Sequence, residues 1–310
     1  MATEEGRLAP LQALSEGLTG AVERAARSVV ALHARARIPS SGVVWRDGVV
    51  VASHHTVKRD DDIAVTLAEG GSARASVVGR DPSTDLVVLR LSDGAGATPA
   101  EIAHDTARVG QLALAVGRPG GDGPTASLGV VSAVGPSWRT WAGGEIDRFV
   151  RLDLAVYDGF SGGALVDAAG RVLGINSSSL ARGLALTVPA ATVERVAAQL
   201  LEKGRVERGY LGLAMQPVRV GAAVAARLEL RREKGLLVVH VAPDSPAEHA
   251  GVLVGDVIVG VEGKPVNDLD DLLALLVAER VGTSAGLRVV RGGTLVEVPV
   301  TIGARPRREE

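Results

Sequence analysis

The sequence predicts a mostly β fold spread over two or three domains of a 310-residue chain. Three observations carry that expectation. Short apolar runs rich in valine recur along the chain, 39 glycines punctuate them, and hydrophobic residues make up 46% of the whole. β-Branched side chains suit pleated strands and glycine suits the turns between them, so many short strands are expected rather than a helical bundle. The formal net charge is only -2 and no long basic block occurs, which leaves no electrostatic footprint for nucleic acid. Cysteine is absent, and with it disulfides, thiolate catalysis and Cys-ligated zinc. Six histidines are scattered without a His-Glu-x-x-His pairing, so neither a metal nor a cofactor is expected. The opening Met-Ala-Thr-Glu-Glu-Gly-Arg is acidic and leads into no apolar signal core, and no run of 18 apolar residues follows. The expected placement is therefore cytoplasmic, without a membrane anchor, with the cell envelope or periplasm as the alternative.

Residues 1–27 form an N-terminal segment in which Leu11, Leu14, Leu18, Val22 and Ala25 stand at helical spacing, predicting a short amphipathic helix over 11–27. Strands are expected from Ser28 to His33, Val43 to Trp45 and Val49 to Val51, the last two joined by Asp47-Gly48, a strong hairpin signal. The third runs into His54-His55, and adjacent histidines at a strand end are commonly surface residues. Further strands are read at Ile63–Leu67, Ala75–Val78 and Leu86–Leu91. Asp81 beside Pro82 reads as turn chemistry. Asp85, directly before an apolar strand, is a carboxylate that would be partly buried and would need a partner. Strand-like runs continue at Gln111–Gly117, Thr125–Val134 and Phe149–Asp153, with Pro136–Glu145 read as a loop holding two of the three tryptophans. A helix from Thr192 to Lys203 is stopped by Gly204.

The stretch from Arg151 to Val166 organises the rest. An apolar run ends at Val156, Asp158-Gly159 turns the chain, and Ser161 sits against Gly162-Gly163 before a second apolar run. Glycines on both sides allow φ > 0 and let a ligand approach the amides of Gly159 and Ser161, the geometry of an oxyanion hole. The same pattern also suits an ordinary Gly-rich hairpin turn, and the stretch alone leaves both open.

Thr84-Asp-Leu-Val-Val-Leu89, Leu128-Gly-Val-Val-Ser132 and Leu152-Asp-Leu-Ala-Val-Tyr-Asp-Gly-Phe-Ser-Gly-Gly163 together resemble the HtrA/Deg group of trypsin-like serine proteases. The resemblance implies a trypsin-like double β-barrel over 28–204 with Ser161 as nucleophile, Asp85 as the orienting carboxylate and Gly159 and Ser161 as oxyanion-hole amides. Registering the aspartate motif places the general base at His55, thirty positions before Asp85, and leaves His54 without a catalytic role. Departures are Ala52-Ser53 where the family has Thr-Asn, Thr56 for valine, Asp158 for proline, Phe160 for asparagine, and Arg118 in the loop Gly117–Gly121. Phe160 either docks in the barrel and fixes the turn or signals a hole formed only on activation. The strands expected to wall the primary specificity pocket carry no acidic residue, which points to small or medium aliphatic substrate side chains.

Beyond Arg208 come Leu236–Val241, the helix signal Ser245-Pro-Ala-Glu-His-Ala-Gly251, Gly255–Val261 and an apolar helix from Asp268 to Val277. Residues 209–302 resemble a PDZ domain, a small β fold with two short helices, leaving 303–310 as a polar tail. That likeness implies capture of a chain end by strand addition, with the loop Tyr210, Leu211, Gly212 and Leu213 receiving the carboxylate. The expected function is an ATP-independent serine endopeptidase acting on unfolded proteins or peptides with hydrophobic C-termini. The alternative is a catalytically silent peptide-binding scaffold that keeps the protease fold. The family commonly forms homotrimers, through N-terminal segments rich in aromatic contacts; this chain has two Phe and two Tyr in all.

Overall fold

A computed structural model describes residues 4–92, 96–120, 123–181, 183–230, 232–266, 268–273, 276 and 280–304. The chain forms two compact units, Met1–Val206 and Glu207–Glu310. In the first, helix α1 (Glu4–Ala26) leads into β1 (Val29–His33), β2 (Ser40–Arg46), β3 (Val49–Ser53), β4 (Ile63–Thr66), β5 (Ser72–Asp81) and β6 (Leu86–Leu91). These six strands close into a barrel in the order β1-β2-β3-β6-β5-β4. Then come β7 (Leu112–Gly117), β8 (Thr125–Val134), the small pair β9 (Trp138–Arg139) and β10 (Glu145–Ile146), β11 (Val150–Asp153), β12 (Ala164–Val166), β13 (Val172–Ser177), β14 (Leu186–Pro189) and helix α2 (Ala190–Lys203). A second closed barrel runs β11-β14-β13-β12-β7-β8. The mostly β, double-barrel class expected from the sequence is the class observed.

The apolar runs are continuous because successive side chains of one strand serve different cores. Val30, Leu32, Val44, Val50, Val87 and Leu89 fill the first barrel. Their alternates Val29, Val43, Val51, Leu86 and Val88 join Leu114 and Val116 of the second barrel in a shared core. A strand buried on both faces loses the polar alternation of a half-exposed one. Asp47-Gly48 turns β2 into β3 as expected, with Gly48 at φ +66.

The helices differ from expectation in extent. α1 begins at Glu4, well before residue 11, and runs through Pro10. Its C-terminal half packs: Ala21 and Ala25 are buried, whereas Leu11 and Leu14 are 63% and 50% exposed. α2 buries Val193, Val196, Ala197 and Leu200, and Gly204 ends it at φ +69 with its amide on the Leu200 carbonyl at 2.9 Å. The segment read as a loop at Pro136–Glu145 contains the β9 strand and the first residue of β10. Trp138 packs edge-on against Phe149, ring centres 5.7 Å apart, while Trp141 is 90% exposed.

The second unit holds β15 (Gly209–Tyr210), β16 (Leu213–Arg219), α3 (Ala222–Arg227), β17 (Lys234–Val241), α4 (Pro246–His249), β18 (Val257–Val261), β19 (Lys264–Pro265), α5 (Leu269–Leu273), β20 (Ser284–Arg291), β21 (Thr294–Thr301) and β22 (Gly303–Ala304). Its main sheet runs β16-β17-β18-β20-β21, and β15 pairs with β22. α3 adds to the two short helices expected. Ser245 caps α4, its hydroxyl accepting the Glu248 amide at 3.2 Å. α5 starts where the apolar helix was expected; residues 274–275 and 277–279 of that span lie outside the described residues, as do Gly121 and residues 305–310 of the polar tail. Asp256 is buried beside Arg291, which donates from Nε at 2.8 Å and from Nη2 at 2.7 Å. Burial alone would push this carboxyl up; the paired guanidinium and the Leu253 amide outweigh it and hold it below the ordinary value.

One close approach fastens the first barrel to α2. At Gly79, beside a bulge in β5, an added Cβ would lie 2.4 Å from the Gly204 carbonyl oxygen. Backbone cannot swing aside as a side chain can, so Gly79→Ala is expected to destabilise the first unit by about 1–3 kcal/mol. Urea unfolding of the full chain measures this, and an unchanged midpoint would contradict the packing described.

Candidate active site

β3 ends in a single 3-10 turn, His54–Thr56, and the strand β6 begins directly after Asp85. Because β3 and β6 are paired neighbours, with Ser53 opposite Leu86, the histidine turn and the aspartate meet at the same end of the barrel. Asp85 sits at φ +56, a costly conformation for a residue with a side chain. It is held there by its surroundings. Its carbonyl accepts the His54 amide at 3.0 Å. Its carboxylate Oδ1 accepts the His55 amide at 2.9 Å, and His55 Nδ1 lies 3.0 Å from Oδ1 and 2.8 Å from Oδ2. The Ser177 hydroxyl donates to Oδ2 at 2.6 Å. Asp85 is 3% exposed, and burial would raise its pKa; the hydrogen bonds and charge of His55, the Ser177 hydroxyl and the His55 amide prevail and lower it. A carboxylate that is ionised and aimed at Nδ1 leaves Nε2 as the free acceptor of a neutral imidazole.

His54 points elsewhere. Its Nδ1 is 3.3 Å from Arg80 Nη1, and burial together with the Arg80 charge holds its pKa below the usual histidine value. Asp81 accepts from the Ser83 hydroxyl at 2.6 Å and the Thr84 hydroxyl at 2.7 Å, closing the turn that delivers Asp85.

The turn carrying Ser161 is wedged between the barrels. Gly162, at φ +89, donates its amide to the Asn176 carbonyl on β13 at 2.9 Å, and a Cβ there would lie 2.1 Å from the Ser41 carbonyl oxygen on β2. No other residue fits. Gly159, at φ +88, lies against Pro119, and its carbonyl accepts the Ser41 hydroxyl at 2.6 Å. Among the described residues, the amides of Gly159 and Ser161 have no protein acceptor. Phe160 between them is fully buried, edge-on to Tyr157 at 5.4 Å, so the side chain docks in the barrels and anchors the turn. The structure thus brings His55, Asp85 and Ser161 to one cleft between the barrels. Ser161 Oγ lies 3.0 Å from Ser178 Oγ, which is 3.4 Å from His55 Nε2.

Ser177, Ser178 and Ser41 escaped the sequence reading, and Arg118 was noted only as a departure in its loop. Ser177 completes the Asp85 shell, and the run Ser177-Ser178-Ser179 after an apolar strand was the available signal. Ser41 bridges Gly159 to the Arg118 amide, which donates to Ser41 Oγ at 2.8 Å. Arg118 itself is 3% exposed and donates from Nε to the Val29 carbonyl at 2.9 Å, a contact with no local sequence signature.

In the second unit, Leu211 is buried and Gly212 takes φ +84 beside Ser245. The Leu211 and Gly212 carbonyls accept the Ala247 and Ala242 amides, each bond about 3 Å, while among the described residues the Leu211 and Gly212 amides have no protein acceptor. Tyr210 and Leu213 belong to β15 and β16 on either side.

Comparison with known proteins agrees with this architecture. A trypsin-like peptidase domain is matched over residues 40–175 and a PDZ domain over residues 209–302. A probable periplasmic serine endoprotease, DegP-like, of Brucella suis is 38% identical over 286 residues, covering 88% of this chain and 54% of the relative. A protein of the same description from Chlamydia trachomatis is 35% identical over 272 residues, covering 86% of this chain and 54% of the relative. The chain thus spans about half the length of these curated relatives. The crystal structure of the serine endoprotease from Yersinia pestis superposes with a TM-score of 0.74 at 32% identity, over 93% of this chain and 98% of that one. The HtrA-type protease AlgW with decapeptide does so with a TM-score of 0.75 at 30% identity, over 94% and 99%. The relatives' periplasmic names overturn the cytoplasmic placement expected from the sequence. That expectation rested on the acidic character of the opening residues, and the residues at hand carry no physical record of the compartment. Two closed barrels, the matched domains, curated relatives alike over most of this chain and solved structures alike over nearly their full length make this chain a member of the HtrA/Deg family of serine proteases.

Proposed function

We propose that the chain is an ATP-independent serine endopeptidase of the cell envelope or periplasm, acting on unfolded proteins through Ser161, His55 and Asp85. The observation that carries this reading is the two-point hold of Asp85 on His55, by amide and ring, in the cleft that contains Ser161. A neutral serine hydroxyl attacks a peptide carbonyl poorly. His55 Nε2 accepts its proton as the Ser161 oxygen bonds to the carbonyl carbon. Asp85 stabilises the imidazolium that results, and the proton then passes to the leaving amine as the C–N bond breaks. Water repeats the cycle in reverse to free Ser161. The oxyanion of each tetrahedral intermediate is received by the amides of Gly159 and Ser161, each donor worth about 3–4 kcal/mol in such sites.

β13 and β14 carry no carboxylate, which favours small or medium aliphatic side chains at the cleaved bond. The second unit takes hydrophobic peptide C-termini, the carboxylate at the free amides of the Tyr210–Leu213 loop and the peptide strand on the sheet edge. Self-association into trimers is consistent with the uncovered apolar face of α1 at Leu8, Leu11 and Leu14.

Casein hydrolysis without ATP tests the assignment. Ser161→Ala is expected to lose nearly all turnover while unfolding at the wild-type temperature, His55→Ala to lose nearly all turnover, and His54→Ala to keep most of it. Undiminished turnover by Ser161→Ala would sink the mechanism. Asp85→Asn is expected to lower kcat about 10⁴-fold, because the ring loses its fixed tautomer. The same variant has a pH signature. A carboxyl whose pKa is lowered on folding adds stability above its unfolded value, about 3.9, and that stability disappears as pH falls through the folded value. The gap in thermal midpoint between wild type and Asp85→Asn should therefore be full at pH 7 and shrink below about pH 4. A gap independent of pH would contradict it.

A further inference from the structure

Ser178 occupies the space through which Ser161 and His55 must meet. Its hydroxyl is 3.0 Å from Ser161 Oγ and 3.4 Å from His55 Nε2, and its amide donates to Ser161 Oγ at 3.3 Å. The base sets the direction of this chain. In the neutral ring, with Nδ1 donating to Asp85, Nε2 accepts, so the Ser178 hydroxyl donates to it and the Ser178 oxygen receives the proton of Ser161. Both ends of the hydrogen bond that the mechanism needs are engaged by a third residue, and among the described residues no direct bond joins Ser161 to His55. Ser177, its neighbour, is committed to Asp85, so the two hydroxyls have separate tasks.

We infer that Ser178 is a restraint on the nucleophile: its hydroxyl holds Ser161 and His55 apart in the resting enzyme, and substrate entering the cleft must displace it before acylation. This rests on the roles proposed above for Ser161 and His55. A proton relay through Ser178 is the competing arrangement. It adds a second alcohol as weakly acidic as the nucleophile, which gives no driving force, and its far contact of 3.4 Å is long for transfer. Displacement, by contrast, costs little, because Ser178 is exposed and water can satisfy its hydroxyl.

The test uses the full chain and a small fluorophosphonate in excess, with the labelled residue mapped and kcat/KM for a short peptide measured in parallel. Ser178→Ala is expected to react at Ser161 roughly threefold to tenfold faster than wild type by both measures, the range set by the loss of one neutral hydrogen bond. Ser178→Thr, which keeps the hydroxyl, should stay near the wild-type rate. An unchanged rate in Ser178→Ala overturns the restraint, and a loss of tenfold or more assigns Ser178 to a relay instead. Label found away from Ser161 in both proteins would refute the catalytic assignment itself, an outcome the mapping separates from the first two.

Discussion

The buried carboxylate of Asp85 is the constraint on which the site depends. It carries charge in a place where water cannot reach it, at a backbone angle that costs energy, and it is tolerated because every face of it is engaged. The His55 amide, the His55 ring and the Ser177 hydroxyl all point at its two oxygens. Two of these donors come from the turn after β3 and one from β13, so the carboxylate ties the first barrel to the second. The turn behind it is braced as well. Thr140 of the β9–β10 connection donates to the Ser83 carbonyl at 2.6 Å, and Gly144 approaches so closely that a Cβ would stand 2.3 Å from the same oxygen.

The nucleophile turn is fixed by the same means, from the opposite side. Gly162 and Gly159 admit the backbones of β2 and the Arg118–Pro119 loop, and Ser41 ties the loop to the turn by accepting from one and donating to the other. Arg118, a departure from the family pattern, puts a cation where it has to be buried. It lies at the C-terminal end of α1, where its guanidinium meets the Val29 carbonyl at 2.9 Å and the Ala26 carbonyl at 3.4 Å. The negative end of a helix dipole is a suitable environment for such a charge. α1 is thereby coupled, through Arg118 and Ser41, to the residues that would receive an oxyanion.

Much of this was legible in the sequence because strands and turns are local. Asp47-Gly48, the apolar runs of β3 and β6, and Gly204 after α2 declare themselves within a few residues. The Gly-Phe-Ser-Gly-Gly turn was equally readable, whereas His55 was told from His54 only through the family resemblance; the cleft holds the side chains of Ser161, His55 and Asp85 together. What escaped is non-local. Arg118 looked like an altered loop, yet its position is decided by a helix end some 90 residues away. The burial of Phe160 follows from the gap beside Gly117, which no spacing reveals. Leu11 and Leu14 carried a correct helical period, but a period states which face is apolar and not what covers it. Ser178 was unremarked because serine after a strand is ordinary, and only the fold sets it between a nucleophile and its base.

The central claim is that Asp85 fixes the protonation geometry of His55 before any substrate arrives. Nitrogen-15 correlation spectra of the histidine rings in the full chain at neutral pH test it directly. The account predicts a His55 ring protonated at Nδ1, with a slowly exchanging, low-field Nδ1–H resonance and an unprotonated Nε2. A ring protonated at Nε2, or one exchanging freely between both forms, would contradict it.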